Sequence, residues 1–553
     1  MKNIIVIIPA RGGSKGIARK NLRLLAGKPL ISYSIETALN STYSPDVYVT
    51  TEDDEIELIA QKFGAKIHKR PAPLADDKST LDPVIYTALE FSEKVENKKY
   101  DIVITMQPTS PLLAVNSIDA ALKSFINSDR ETIISAQDDT HLTWRKEGLN
   151  FFPNYKERLN RQYLEPVYKE TGGFLITRRD IITEKNRIGK NVDLFLLKGG
   201  EEIDIDTYND WNLCEYLLQK KKILFVVGGN EIIGMGHVYN TLIVANDILN
   251  HEVQFLVPKG NLLAFEKISS KNYKVQIQSS ENILDDIENI NPDIIINDIL
   301  DTDEEYIKAI KKRNITCINF EDLGEGAKQA DLVINAIYPE REEHENHYYG
   351  EQYFILRDEF IFNYSNKTIK EEVNEVLITF GGVDPCNLTE FTLDSIYDFC
   401  VNHKIKINIV TGPGYTKYET LDRYKEATVF ENVQNISDFM FSADIVFTSA
   451  GRTIYEVASI GVPAIVLAQN ERELTHFFAA QENGFINLGL GTDVSRKELL
   501  DQFKILVNTP GSRIRNHELM INQNLKLGRK KVLSLINNLI QNRHENNRVV
   551  QHL

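Results

Sequence analysis

The sequence predicts an α/β protein assembled from three Rossmann-like units, and three observations carry that prediction. Short apolar runs of strand length alternate with segments of helical periodicity along most of the chain. Three times such a run empties into a glycine-rich loop, at Gly12-Gly13, Gly228-Gly229 and Gly381-Gly382. The length, 553 residues, exceeds what one core organises, since a domain usually takes about 150 residues.

The first unit opens with Ile4–Ile8, an apolar run that reads as a buried parallel strand. It leads into Pro9-Ala10-Arg11-Gly12-Gly13-Ser14-Lys15-Gly16-Ile17-Ala18-Arg19-Lys20-Asn21. Adjacent glycines let the backbone approach a ligand and present its N–H groups. Arg11, Lys15, Arg19 and Lys20 place four cations within ten residues. Amides and cations at a strand end suit a nucleoside triphosphate, although a solvated turn has the same composition. The spacing matches neither the P-loop nor the dinucleotide fingerprint.

Leu30–Leu39 reads as a helix entered through Gly27-Lys28-Pro29, Asp46–Thr51 as a strand, and Asp54–Phe63 as a helix whose acidic first turn suits its dipole. Lys66–His68 is a short strand, Pro83–Ser92 a helix, and Asp101–Met106 a buried strand ending in Gln107-Pro108-Thr109-Ser110-Pro111-Leu112. This rhythm predicts a mostly parallel sheet with ligands at the carboxyl ends of its strands. The opening loop and Gln107–Leu112 both fall at such ends, which points to a shared site. Asp204 and Asp206, two apart on an extended segment, face one side. Such a pair either holds a hard cation that bridges phosphates or forms an acidic edge facing water.

Gln219-Lys220-Lys221-Lys222 is a charged junction, the solvated end of a helix. A strand, Ile223–Val227, then enters Gly228-Gly229-Asn230-Glu231-Ile232-Ile233-Gly234-Met235-Gly236-His237-Val238, and a helix follows over Tyr239–Leu249. Alternation resumes with strands at Val253–Val257, Asp293–Asn297, Thr316–Phe320 and Leu332–Asn335. A second half starts near Val373. Its strand Val376–Phe380 ends in Gly381-Gly382-Val383-Asp384-Pro385, its helix is Thr389–Phe399, and Ile405–Val410 leads to Thr411-Gly412-Pro413-Gly414. Asp444–Thr448 leads to Ser449-Ala450-Gly451-Arg452-Thr453-Ile454-Tyr455-Glu456, the Thr453–Ile460 helix closes at Gly461, and Ala464–Ala468 is the next strand. Two halves of this kind, facing one another, enclose a cleft suited to a ligand. Residues after about 512 predict a long, basic, amphipathic helical tail that turns Leu519, Leu527, Val532, Leu535 and Ile536 to the core.

Composition narrows the function classes. A net charge of −16 argues against nucleic acid as a partner, leaving anionic small molecules that meet local cationic pockets. No apolar run approaches the roughly 18 residues of a membrane span. Met1-Lys2-Asn3 leads straight into a core strand, and the four cysteines, Cys214, Cys317, Cys386 and Cys400, form no CxxC. Both features suit a reducing cytoplasm, without a zinc site or disulfide framework.

The motifs of the first unit carry a resemblance. Pro9–Lys15 with Lys20-Asn21, the Arg70–Thr80 loop, Gln107–Leu112 and Ile203-Asp204-Ile205-Asp206 together resemble the CMP-N-acylneuraminate cytidylyltransferase family over about 220 residues. The resemblance implies a nucleotidyltransferase domain of GT-A type. It would join CTP to a nine-carbon 2-keto sugar acid (pseudaminic, legionaminic or neuraminic type) and release pyrophosphate. It implies that Arg11 and Lys20 hold the triphosphate, with Lys15 secondary, and that Ala10 and the amides of Gly12, Gly13 and Ser14 lie near cytosine or phosphate. Asn21 would fix the nucleotide. Asp204 and Asp206 would carry Mg²⁺, with Mn²⁺ as the alternative. Gln107 and Ser110 would line the sugar side, and Arg161 would grip the sugar's carboxylate bidentately. Such enzymes pair through this domain, so a homodimer is implied. Leu113 stands where the family often has Arg, and Thr171-Gly172-Gly173 where it often has Asn-Gly. Both departures lie on the sugar side.

The remaining 300 or so residues resemble nucleotide-sugar enzymes of the GT-B fold, above all the UDP-sugar hydrolases that make the altrose-type precursor of pseudaminic acid. Gly234-Met235-Gly236-His237-Val238, Phe380-Gly381-Gly382-Val383-Asp384-Pro385, and Ala450–Glu456 followed by Gly461-Val462-Pro463 carry this resemblance. It implies His237 as base or orienter for water, although a histidine at a helix start is also commonly structural. It further implies that Gly451, Arg452 and Thr453 hold a diphosphate at a helix N-terminus, that Glu456 binds ribose, and that Asn470 lies near the sugar. The departures are Gly228-Gly229-Asn230 in place of Arg-x-Asp, Asn240 in place of Arg, and Asn470-Glu471 in place of Asn-Gln. The chain thus reads as 1–221, a cytidylyltransferase domain, with 222–370 and 371–553 as the two halves of a GT-B-like pair. The implied function is bifunctional: CMP transfer plus hydrolysis of a UDP-linked amino sugar. The alternatives for the second part are a glycosyltransferase and an inactive nucleotide-sugar-binding module.

Overall fold

The structure, a computed structural model, describes residues 2–13, 16–76, 79–230, 233–340, 344–362, 367–433 and 435–550, with side chains to residue 540. The chain divides into two compact units, Met1–Lys220 and Lys221–Leu553. Among the described residues, no helix is long and apolar enough to cross a membrane.

The first unit is built on a seven-stranded sheet in the order Val192–Leu196, Thr132–Asp138, Tyr168–Arg178, Ile102–Met106, Ile4–Pro9, Asp46–Thr51, Lys66–Lys69. Only Tyr168–Arg178 runs antiparallel to its neighbours. The apolar run Ile4–Ile8 is central because it is needed on both faces. Ile4, Val6 and Ile8 pack with Ile31, Ile35 and Ala38 of the Leu30–Leu39 helix. Ile5 and Ile7 pack with Ile85, Ala88 and Leu89 of the Leu81–Val95 helix. The latter helix is longer than its apolar pattern suggests. Pro83 lies in its first turn, where a missing N–H costs no helical hydrogen bond. The acidic helix is Asp54–Lys62, and Asp53 caps it by accepting from the Glu55 and Ile56 amides. Between Thr132–Asp138 and Tyr168–Arg178, a hairpin of Trp144–Glu147 and Asn150–Pro153 leaves Trp144, Leu149 and Phe151 exposed.

The second unit holds two all-parallel sheets, as the alternation predicts. One has seven strands in the order Val275–Ile277, Glu252–Val257, Lys222–Val227, Ile294–Asp298, Thr316–Phe320, Leu332–Asn335, His347–Tyr349. The other has six, in the order Ala427–Glu431, Lys406–Thr411, Glu375–Ile378, Ile445–Thr448, Ala464–Ala468, Phe485–Leu490. In each, the strand order reverses beside the first strand, which opens a crevice at the carboxyl ends.

Two expectations are corrected. The helix after the second glycine loop is Gly236–Asp247, so His237 falls in its first turn. The C-terminal tail is two helices, Pro510–Ile521 and Gly528–Val550, parted by Asn524 in the left-handed region and a 3₁₀ turn at Leu525–Leu527. That break resets the helical phase. Leu527 is 49% exposed and Leu519 and Leu535 are half-buried, whereas Met520, Leu525, Val532 and Ile536 are buried. The final helix, counted with the second half from sequence, returns to the first. Val532, Ile536 and Ile540 join the core of Ile223 and Phe225, and Arg529 pairs with Asp247 at 2.5 Å and with Asp358. Ile536→Ala is therefore expected to cost roughly 2–5 kcal/mol in urea unfolding of the full chain, whereas Leu527→Ala changes stability by less than about 0.5 kcal/mol.

Candidate functional site

Ile4–Pro9 and Ile102–Met106 are neighbours at the reversal of strand order in the first sheet, so the loops that leave them share one rim. Ala10 extends the first strand by donating to the Thr50 carbonyl at 3.1 Å. Gly12 N–H donates to Glu52 Oε1 at 2.8 Å, and a Cβ on Gly12 would strike the Asp53 carboxylate. Gly13 faces open space. Ser14 and Lys15 lie outside the described residues. The buried Asn21 closes the loop by donating from Nδ2 to the Arg11 carbonyl at 3.0 Å.

The loop's cations divide their tasks. Arg19 grips Asp53 at 2.5 Å and Glu55 at 2.7 Å. Lys20 reaches far along the sequence, donating to the Ile205 carbonyl at 2.5 Å with Asp206 Oδ1 at 3.5 Å. Ile205 N–H in turn donates to the Thr109 carbonyl at 2.8 Å, and Gln107 N–H to the Gly172 carbonyl at 3.2 Å. These bonds join the opening loop, Gln107–Leu112 and Asp204–Asp206 in one place. Gln107 is half-buried and Ser110 is buried.

The two aspartates differ. Asp206 is exposed, while Asp204 is half-buried against Gly172, and burial raises its carboxyl above the ordinary range. Asp204 Oδ1 and Ser110 Oγ are buried without close hydrogen-bond partners among the described residues, and the Thr109 hydroxyl stands beside the Asp204 carboxylate, which offsets part of that rise. An orphaned carboxylate oxygen beside a second carboxylate fits a hard divalent cation whose other ligands are waters and phosphates. Arg161 is exposed on the Arg161–Tyr163 turn beyond the hairpin, within electrostatic reach of Asp138 at the end of Thr132–Asp138. The sequence reading gave no role to Arg70. It is buried at the end of Lys66–Lys69, donates to the Thr50 carbonyl at 2.6 Å, and sits 3.7 Å from Glu52 and within electrostatic reach of Arg11. Its sequence signal is that it follows a short strand and opens the Arg70–Thr80 loop, one of the motifs that carry the resemblance.

In the second unit the site is the cleft between the two parallel sheets. His237 Nδ1 meets Asp298 Oδ1 at 2.5 Å, and Asp298 ends the strand paired with Lys222–Val227, so this pair sits at the crevice of the first half. Gly451, Arg452 and Thr453 stand at the N-terminus of Thr453–Ile460, in the crevice of the second half. His237 and Gly451–Thr453 line one cavity with Ser449, Glu473 and His476. An adjoining cavity is lined by Tyr239, Thr411, Val433 and Glu456. Glu456 is engaged there by Arg357 at 2.8 Å. Asn470 is exposed at the rim, where its Oδ1 accepts from Glu473 N–H at 3.0 Å.

Three ionisable groups of this cleft escape sequence reading because only burial distinguishes them. Burial pushes Glu321 and Glu473 up to about 7 and His476 down to about 4. Glu321 also takes a left-handed backbone conformation, φ 51°. His476 Nδ1–H donates to the Ala450 carbonyl at 2.7 Å; a carbonyl can only accept, so the ring is the Nδ1–H tautomer.

Residues 5–213 match the family model described as cytidylyltransferase. The chain is 35% identical over 225 residues to pseudaminic acid cytidylyltransferase of Campylobacter jejuni, covering 39% of this chain and 96% of that protein. It is 34% identical over 275 residues to an uncharacterized protein of Methanocaldococcus jannaschii, covering 45% of this chain and 56% of that protein's length. Among solved structures, MurG of Acinetobacter baumannii aligns over 58% of this chain and 99% of its own at 14% identity and a TM-score of 0.41. Through residues 5–213, the chain belongs to the cytidylyltransferase family.

Proposed function

We propose that the first unit transfers CMP from CTP to a nine-carbon 2-keto sugar acid and releases pyrophosphate. The observation that carries this reading is the junction at Lys20, whose ammonium ties the glycine loop to Ile205 and Asp206 beside the Gln107–Leu112 loop. In this reading Arg11 and Lys20 take the triphosphate, Asn21 holds the loop in shape, and the Gly12 and Gly13 backbone lies against the nucleotide. Arg70 adds a second guanidinium next to Arg11. Gln107 and Ser110 line the sugar side, and the unpartnered Ser110 hydroxyl is available to a substrate hydroxyl. A hydroxyl of the sugar acid attacks the α-phosphorus, and the bond to the β-phosphate oxygen breaks. Such transfer is mainly positioning and charge stabilisation. Asp204 and Asp206 would hold Mg²⁺, which would neutralise phosphate charge.

For the second unit the reading is a UDP-sugar hydrolase. The His237–Asp298 pair supports it. Asp298 fixes Nδ1 as the protonated nitrogen, so Nε2 can accept a proton from water as its oxygen attacks the anomeric carbon and the bond to the diphosphate breaks. Backbone amides at Gly451–Thr453 would take the diphosphate. A glycosyltransferase would use the same base on an acceptor hydroxyl. The substrates are thus CTP, a nonulosonic acid and a UDP-linked amino sugar. A homodimer through the first unit is part of the reading, supported by the exposed Trp144, Leu149 and Phe151 of the hairpin.

Incubation with CTP, Mg²⁺ and a panel of 2-keto sugar acids is expected to release pyrophosphate, and chelation of the metal to stop it. Asp206→Ala should abolish that release and leave UDP-sugar turnover intact; loss of both in a folded variant would count against two independent sites. His237→Ala should slow UDP-sugar hydrolysis by roughly 10²- to 10⁴-fold without touching pyrophosphate release, both followed by mass spectrometry of products. Acceptor-dependent transfer without free sugar would select the transferase, and UDP-sugar binding without turnover the inactive module. Trp144→Glu with Phe151→Glu should convert the dimer to monomer in sedimentation.

A further inference from the structure

Arg452 stands at the start of the Thr453–Ile460 helix in the second half, but its side chain crosses the cleft. Nη2 donates to Asn240 Oδ1 at 2.9 Å, on the Gly236–Asp247 helix of the first half. Nη1 lies 3.4 Å from Glu321 Oε1, and the guanidinium stands 4.5 Å from the ring centroid of Phe354. The bonds continue beyond Asn240. Its Nδ2 donates to Asp298 Oδ2 at 2.8 Å, while Asp298 Oδ1 holds His237 Nδ1 at 2.5 Å. The amide's orientation follows from charge. Reversed, it would set its oxygen against a carboxylate and its NH₂ against a guanidinium. Asn240 is 2% exposed and Asp298 0%, so solvent water has little access to these bonds and they hold their geometry. Gly236 is also required. A Cβ there would lie 2.8 Å from Arg452 Cδ, so a side chain would push the guanidinium out of the cleft.

We propose that Arg452 and Asn240 are positioning residues for His237, and that the Arg452 side chain is not a phosphate ligand. Arg452 holds the Asn240 amide, the amide holds one oxygen of Asp298, and the other oxygen keeps His237 in the Nδ1–H tautomer with Nε2 free to take a proton. The half that would carry the diphosphate amides thereby orients the base on the opposite half. The proposal rests on the reading of His237 as the base.

The test combines kinetics with a measurement that needs no turnover. In the full chain, Asn240→Ala and Arg452→Ala should each lower kcat by roughly 10- to 100-fold, the range seen for partners that orient a reactive imidazole. UDP affinity by calorimetry should change less than about threefold, since the backbone amides are kept. Arg452→Lys should recover part of kcat. On a His237→Ala background, Asn240→Ala should have no further effect, because the two act as one unit. Without turnover, the low-field proton resonance of the short His237–Asp298 bond should be present in the wild type, absent in Asp298→Asn, and shifted in Asn240→Ala and Arg452→Ala. The proposal is overturned if Arg452→Ala weakens UDP tenfold or more with kcat kept, if the Asn240 and His237 effects multiply, or if the resonance does not move. If no UDP-sugar is turned over, the hydrolase reading fails while the resonance still decides the positioning.

Discussion

Parallel strands of one sheet all end on the same edge, and where their order reverses, the loops leaving adjacent strands diverge and leave a crevice between them. Most groups assigned a role in this protein lie at such an edge. In the first unit Ile4–Pro9 and Ile102–Met106 deliver the glycine loop and Gln107–Leu112 to one rim, and Lys20 fastens the distant Ile205–Asp206 segment to it. In the second unit Lys222–Val227 and Ile294–Asp298 deliver His237 and Asp298 together. The parallel pairing follows from buried, β-branched strands that are apolar on both faces and need a helix layer on each side.

Charge is handled by pairing and by burial. The chain carries a net −16, yet in the proposed reading both sites take anionic ligands. At the first rim, the guanidinium of Arg19 is already committed to Asp53 and Glu55. Lys20 remains bonded to a neutral carbonyl with Asp206 at 3.5 Å, which leaves its charge less completely compensated. In the cleft of the second unit, burial raises Glu321 and Glu473 to about 7. Desolvation favours the neutral form of both acids and so lessens the negative charge inside the cleft. Glu321, in the left-handed region at φ 51°, lies 3.4 Å from Arg452.

The element types were legible because periodicity reports which face is buried. Alternation over the whole length predicted the α/β class and the two all-parallel sheets of the second unit. Boundaries and long-range returns were less legible. The tail read as helical because its apolar positions recur at helical spacing, but the left-handed Asn524 divides it in two with no hydrophobic signal to announce the break. The return of Val532 and Ile536 to the first half's core depends on which apolar surface remained uncovered, and no local pattern encodes that.

For the sites, local sequence determined the loops: glycines where backbone and side chains crowd, cations clustered after the first strand, a histidine at the start of a helix, and an Asp-x-Asp segment. These depend on residue type and short spacing, so they can be read along the chain. Tertiary structure alone decided the partners. That Asp298 meets His237, that Arg452 crosses to Asn240, and that Arg70 comes within electrostatic reach of Arg11 are consequences of register and crossover over separations of tens to hundreds of residues. The shifted acidities of Glu321 and Glu473 have the same origin, because desolvation exists only once the chain has closed around the group.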